Sequence, residues 1–208
     1  MKLVCLASGR GSNFKAVVEA CQSGEIPKSE VVALLCNKPD APVVQLAKDL
    51  KIPVKILKRD AFKKKDGKYD RPAYDKALAE LALPYSPDYV VLAGYLLLLG
   101  SAFLHHFPYR VLNIHPSLLP LFPGLNAQRQ ALLAKAKKTG CTVHLVDASL
   151  DGGPILAQAE LAIKPKETEE TLTERLLELE HKTYVAVLKK LQKSRIIVEG
   201  NEARWTPK

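Results

Sequence analysis

Apolar runs of strand length alternate with amphipathic segments along the first half of the chain. KLVCLA (2–7), EVVALLC (30–36), PVKIL (53–57) and DYVVLA (88–93) are short and continuously apolar. Between them, helices are predicted over Asn13 to Cys21, through VVQLAKDL (43–50), and from about Arg71 to Leu83. Strands without polar alternation are buried on both sides, and strands separated by helices imply a mostly parallel sheet covered by helices on both faces. Further strands are expected at RVLNI (110–114), TVHLV (142–146), ILAQAELAI (155–163) and RIIVE (195–199). A long helix is expected from about Thr168 to Gln192, with apolar residues at 172, 176, 179, 184, 187 and 191. Its start, Glu167 to Thr171, combines capping threonines with acidic first-turn residues. The fold class is therefore α/β, a Rossmann-like open sheet in a single domain spanning 1–208. Such sheets bind ligands beyond the carboxyl ends of their strands.

Composition changes this picture little. A chain of 208 residues with 47% hydrophobic and 25% charged residues is ordinary for a globular protein and needs no disulfide or metal to fold. Cys5, Cys21, Cys36 and Cys141 form no CxxC pair, so reduced thiols and a cytoplasmic setting are expected. The N-terminus reaches polar residues too early for a signal peptide, and no run approaches the roughly 20 apolar residues of a membrane span. The net charge of +9 is spread over helix faces and two lysine runs, 62–68 and 134–138, the first of which is the expected mobile loop. No aromatic stripe or nucleic-acid motif accompanies them. A solvated basic surface that attracts anionic small molecules is expected, without nucleic-acid or membrane partners.

Candidate chemistry lies where the expected strands end. After the first strand come Ser8-Gly9-Arg10-Gly11-Ser12-Asn13 and then a helix, where free backbone N–H groups can receive a phosphate. A dinucleotide fingerprint is absent, because Phe14 stands in place of the third glycine and the second strand ends in Cys36-Asn37-Lys38. A tight turn capped by Ser12 or Asn13 and a phosphomonoester site both fit. RVLNI runs into Asn113 and His115, followed by Pro116 and Pro120. The amide can donate to a developing oxyanion and the imidazole can move a proton near neutral pH. A capping Asn with a solvent-facing His fits the same spacing. Asp151-Gly152-Gly153-Pro154 places a carboxylate on another tight turn. His144, inside TVHLV, reads as a sheet histidine rather than a catalyst. No nucleophile elbow and no metal-ligand spacing accompany these residues.

The motifs carry a resemblance over essentially the whole chain: SGRGSN, VVLAGYL (90–96), LNIHPSLLP (112–120), FPGL (122–125), GCTVHLVD (140–147), LDGGPI (150–155) and Glu180-His181. The sequence resembles the phosphoribosylglycinamide formyltransferase (glycinamide ribonucleotide transformylase) family, within the wider folate-dependent formyl-transfer fold. The resemblance implies a first half, about 1–100, that binds phosphate and a second, about 101–208, that completes the catalytic and folate site. It implies 10-formyltetrahydrofolate as a consumed co-substrate and glycinamide ribonucleotide as acceptor, in purine synthesis, with no metal and as monomer or homodimer. Carried over by position, Asn113, His115 and Asp151 would be catalytic. Gly11, Ser12 and Asn13 would hold the substrate phosphate, and Glu180 would contact its sugar. Arg71, Leu92, Leu96, Leu97, Leu98, Leu99, Asn113 and Val146 would bind the folate. Two positions depart from the family pattern. Leu97 stands where many relatives carry a basic residue, and Leu177 where Lys or Gln is frequent. Methionyl-tRNA formyltransferase would be expected to add a C-terminal domain, and formyltetrahydrofolate hydrolase an N-terminal regulatory one. A non-catalytic binder of a phosphorylated sugar would use only the first loop.

Overall fold

The first apolar runs form strands, and little of them meets water except at the sheet edge. In the computed structural model, which describes residues 1–208, these are β1 (Lys2–Ala7), β2 (Glu30–Cys36), β3 (Val54–Ile56) and β4 (Tyr89–Leu92). Leu3 through Leu6 have no exposed surface at all. β1 pairs in parallel with β2 and with β4, so Cys5 lies beside Leu34 on one side and Val91 on the other. β3 pairs with β2 in parallel and, as the half-exposed edge, is only three residues long. With β5 (Val111–His115), β6 (Lys138–Leu145) and β7 (Ile155–Ala162), the mostly parallel sheet has the order β3-β2-β1-β4-β5-β6-β7. β6 and β7 are antiparallel.

The chain clusters into two compact units, Met1–Leu112 and Asn113–Lys208. The first holds α1 (Ser12–Gln22), α2 (Pro42–Asp49), α3 (Arg71–Ala82) and the single turn α4 (Ser101–Leu104). Pro42 and Pro72 sit at the starts of α2 and α3, where a missing N–H costs nothing, and the Asp70 carboxylate caps α3 through Ala73 N–H. The lysine-rich segment forms a tight turn, with Lys63 bridged to Tyr69, Gly67 at φ 79 and Arg59 stacked 4.4 Å from the Tyr69 ring centre.

The second unit holds α5 (Ala127–Leu133) and α6 (Glu169–Lys193). Thr168 and Thr171 form a reciprocal cap at the start of α6, a device worth about 1 kcal/mol. Glu169 and Glu170 in the first turn, with Lys190 and Lys193 in the last, complement the helix dipole. Its buried stripe runs Leu172, Leu176, Glu180, Tyr184, Leu188 and Leu191, so a carboxylate rather than the expected Leu179 occupies a core position.

β6 begins four residues earlier than its apolar run. Lys138 pairs with Ala162 and its ammonium binds Glu160, while Gly140 approaches the Ala159 carbonyl more closely than any side chain would allow. The last predicted strand is real but stands outside the central sheet. β8 (Ser194–Glu199) pairs antiparallel with β9 (Glu202–Pro207) in a separate hairpin.

Candidate active site

In the first unit the loop after β1 turns tightly into α1. Gly11 has φ 85 and serves as the N-cap, and a Cβ there would lie 2.5 Å from Val43 Cγ2. Only glycine satisfies both conditions. Ser12 is half-buried and Asn13 buried. Gly11 makes no side-chain cap hydrogen bond to the first turn of this eleven-residue helix. Ser8 ties the neighbouring strand ends together. Its hydroxyl donates to Asn37 Oδ1 at 2.6 Å and accepts Leu96 N–H at 3.1 Å, and its own N–H donates to the Gly94 carbonyl.

The segment after β4 alternates in exposure. Leu96 and Leu98 project outward at 56% and 52% exposure, Leu97 is half-buried, and Leu92 and Leu99 belong to the core. The exposed leucines give this strand end an apolar face. Asp75, buried in α3, holds this segment by accepting Gly100 N–H at 2.8 Å, and Arg71 Nε lies 3.6 Å from the same oxygen. Burial pushes the Asp75 carboxyl above its ordinary value, with Gly100 N–H and the Arg71 guanidinium opposing. Arg71 is thus placed at the foot of the leucine segment, with its side chain about one-third exposed.

In the second unit, Asn113, His115 and Asp151 converge. His115 Nδ1 lies 3.4 Å from Asp151 Oδ2, and that oxygen also accepts Gly124 N–H at 2.8 Å. His115 Nε2 stands 2.9 Å from the Phe122 carbonyl, which can only accept, so Nε2 carries a proton. Nδ1 faces the Asp151 carboxylate, so the ring is held from both sides. Both side chains are largely shielded, at 7% and 12% exposure, where charge contacts are screened less than at the surface.

His144 joins this set. Its Nδ1 donates to the Leu145 carbonyl at 2.9 Å, which leaves Nε2 as an acceptor for Asn113 Nδ2 at 3.1 Å. Nε2 is also 3.8 Å from Asp151 Oδ1. Burial pushes the His144 pKa down and favours the neutral acceptor, with the Leu145 carbonyl and Asp151 opposing. An amide nitrogen has two N–H groups, so one remains for a ligand after His144 takes the other. Asn113 is half-buried, open enough for that contact.

Sequence reasoning set His144 aside, and its signal was weak: one polar residue in a buried strand. The Gly124 N–H and Phe122 carbonyl had no signal, since backbone groups carry no residue signature. Glu180 is buried in α6, and its charge adds to the burial that pushes the Cys141 thiol up to about 11. Val146 is half-buried, just past the end of β6. Across the chain, no group of three or more His, Cys, Asp or Glu side chains is arranged to hold a metal, and no helix is long and apolar enough to cross a membrane.

Comparison with known proteins gives one consistent answer. The formyl transferase family model matches residues 1–188. The phosphoribosylglycinamide formyltransferase of Escherichia coli is 39% identical over 203 residues, covering 98% of this chain and 92% of that protein. The Bacillus subtilis enzyme of the same name is 38% identical over 91% of this chain and 94% of its own. The crystal structure of glycinamide ribonucleotide transformylase 1 from Symbiobacterium toebii superimposes with a TM-score of 0.91 at 38% identity, over 99% of this chain and 93% of that one. A formyltetrahydrofolate deformylase from Pseudomonas syringae, 23% identical, shares the fold alone. Sequence and fold thus agree that the chain belongs to the formyl transferase family, with phosphoribosylglycinamide formyltransferases as its relatives.

Proposed function

We propose that the chain transfers the formyl group of 10-formyltetrahydrofolate to the glycyl amine of glycinamide ribonucleotide, as a cytoplasmic step of purine synthesis. The observation that carries this reading is the Asp151 carboxylate, fixed by Gly124 N–H and facing His115 Nδ1, beside an Asn113 amide oriented by His144. The set provides oxyanion donors and a proton acceptor without a covalent nucleophile, which suits direct attack by an amine on a formyl carbon.

The neutral amine adds to the formyl carbon, and the carbonyl π electrons move to oxygen. The remaining Asn113 N–H donates to that alkoxide, and the adjacent His115 ring assists its charge stabilisation. Asp151 takes the amine proton through water and holds His115 in register. Collapse of the tetrahedral species breaks the bond to the folate nitrogen, and the proton taken up by Asp151 is returned through the same water to that nitrogen as tetrahydrofolate leaves. Gly11, Ser12 and Asn13 bind the phosphate through backbone N–H groups and polar side chains, while Glu180 reads the sugar hydroxyls. Leu92, Leu96–Leu99 and Val146 line the pterin, and Arg71 faces the anionic end of a ligand. Leu177 leaves this chain without a polar side chain one helical turn from Glu180, and Leu97 without a basic residue in the leucine segment.

Asp151→Asn tests the assignment, because it keeps size and turn chemistry but removes the charge and the proton acceptor. Turnover should fall by at least about 10²-fold, as expected for a general acid–base group. The thermal midpoint and ribonucleotide affinity should stay near wild type. Unchanged turnover, or a loss matched by unfolding, would remove Asp151 from the chemistry.

A further inference from the structure

The β8–β9 hairpin has no evident part in the chemistry, yet it is fastened to the strand and loop that carry Asp151. A two-stranded hairpin is marginally stable by itself, so its anchors matter. Trp205 Nε1–H donates to the Leu156 carbonyl of β7 at 3.2 Å, and Lys190 Nζ of α6 lies 4.3 Å from the Trp205 ring centre. At the turn, Gly200 adopts φ 62 and Asn201 Nδ2 donates to the Gly152 carbonyl at 3.0 Å.

Gly152 directly follows Asp151, whose own φ of 51 is uncommon for a residue with a side chain. Within the same loop, Asp147 Oδ1 accepts Ser149 N–H at 2.8 Å and the Ser149 hydroxyl. Gly153 packs so closely on the Leu145 carbonyl that no Cβ fits there. Asp151 is thus held at its carboxylate by Gly124, and the carbonyl of the next residue, Gly152, is gripped from the hairpin.

We propose that the β8–β9 hairpin braces the Asp151 loop, with Asn201 as a positioning residue that fixes the Gly152–Gly153 peptide and thereby aims the Asp151 carboxylate at His115. Asn201 touches no reacting atom and is itself exposed. The inference rests on the catalytic role assigned to Asp151. A small displacement of a catalytic group lowers turnover more than it lowers stability, because the productive geometry is narrow. An exposed hydrogen bond, by contrast, is replaced by water when the protein-side donor is lost.

The test compares Asn201→Ala and Asn201→Asp in the full chain. Both lack the N–H donor, but aspartate keeps the turn preference of asparagine. Turnover at saturating substrates should fall about fivefold in both, the factor that one hydrogen bond's worth of positioning supplies. Thermal midpoint and calorimetric affinity for glycinamide ribonucleotide should not move. Added to Asp151→Asn, either change should lower the residual rate no further, since both act through the same carboxylate. Wild-type turnover in both variants would overturn the brace. So would a loss in the alanine variant alone, a loss matched by lower stability or affinity, or a further fivefold loss in the Asp151→Asn background. If Asp151→Asn itself turned over normally, the role assigned to Asp151 would fail and the brace with it. An inactive Asp151→Asn beside normal Asn201 variants would overturn the brace alone.

Discussion

Replacing His144 by leucine separates the orientation of Asn113 from its mere presence. The change removes the Nε2 acceptor 3.1 Å from Asn113 Nδ2 and the Nδ1–H donor to the Leu145 carbonyl. Losing one neutral hydrogen bond of about 1 kcal/mol sets the lower bound, about fivefold in kcat. The upper bound is the roughly 10²–10³-fold that a complete oxyanion donor is worth, because Asn113 is still there to find the alkoxide. A loss of about tenfold lies between them. Stability should also fall, by about 1–3 kcal/mol, since the Leu145 carbonyl is left buried without its donor. At this chain length that lowers the thermal midpoint by about 2–4 °C per kcal/mol. The assay is single-turnover formyl transfer beside a thermal melt on the same preparation, above neutral pH. A folded variant within about twofold of wild-type kcat would refute the view that His144 orients Asn113.

The same residue sets a direction for pH. Burial holds the folded His144 pKa below its ordinary value of about 6.5, so between the two values the unfolded chain binds more protons. Its contribution to stability is therefore complete above about 6.5 and is lost as pH falls through the folded value. Protonation also turns the Nε2 acceptor into a donor aimed at a donor, so turnover should fall in the same acid window. His144→Leu should flatten the stability profile there.

Asn113→Ala should lower kcat by about 10²–10³ while leaving substrate affinities nearly unchanged, measured by steady-state kinetics and calorimetry. Gly11→Ala should weaken ribonucleotide binding and stability together, because a Cβ at φ 85 meets Val43 at 2.5 Å; calorimetry with the ribonucleotide and its dephosphorylated analogue checks it. Wild-type preference for the phosphorylated compound in that variant would remove the loop from phosphate recognition.

How far the sequence discloses the molecule depends on the length scale of each feature. Buried strands such as Leu3–Leu6 and a capped 25-residue helix announce themselves through runs and periods that span many residues. α4, with four residues, and α5, with seven, offer too few turns for a period to emerge. β9 escaped for another reason: EARWTP is mixed in polarity and ends in proline, and it is a strand only because β8 pairs with it. Asn113, His115 and Asp151 stood out because polar residues interrupt apolar or tight-turn contexts. The same logic was available for Glu180, a carboxylate four residues from Leu176 and Tyr184 on the buried stripe. His144 could not be read in this way. Its partner Asn113 is 31 residues distant, and the contact exists only once both strands are placed.

The central claim is that this chain delivers a formyl group to an amine rather than to water. Tetrahydrofolate release from 10-formyltetrahydrofolate, followed with and without glycinamide ribonucleotide, tests it most directly. The account predicts negligible release with the folate alone and stoichiometric formylglycinamide ribonucleotide when the acceptor is added, with Asp151→Asn slowing the acceptor-dependent reaction by at least about 10²-fold. Release of formate at the same rate whether or not the ribonucleotide is present would contradict it.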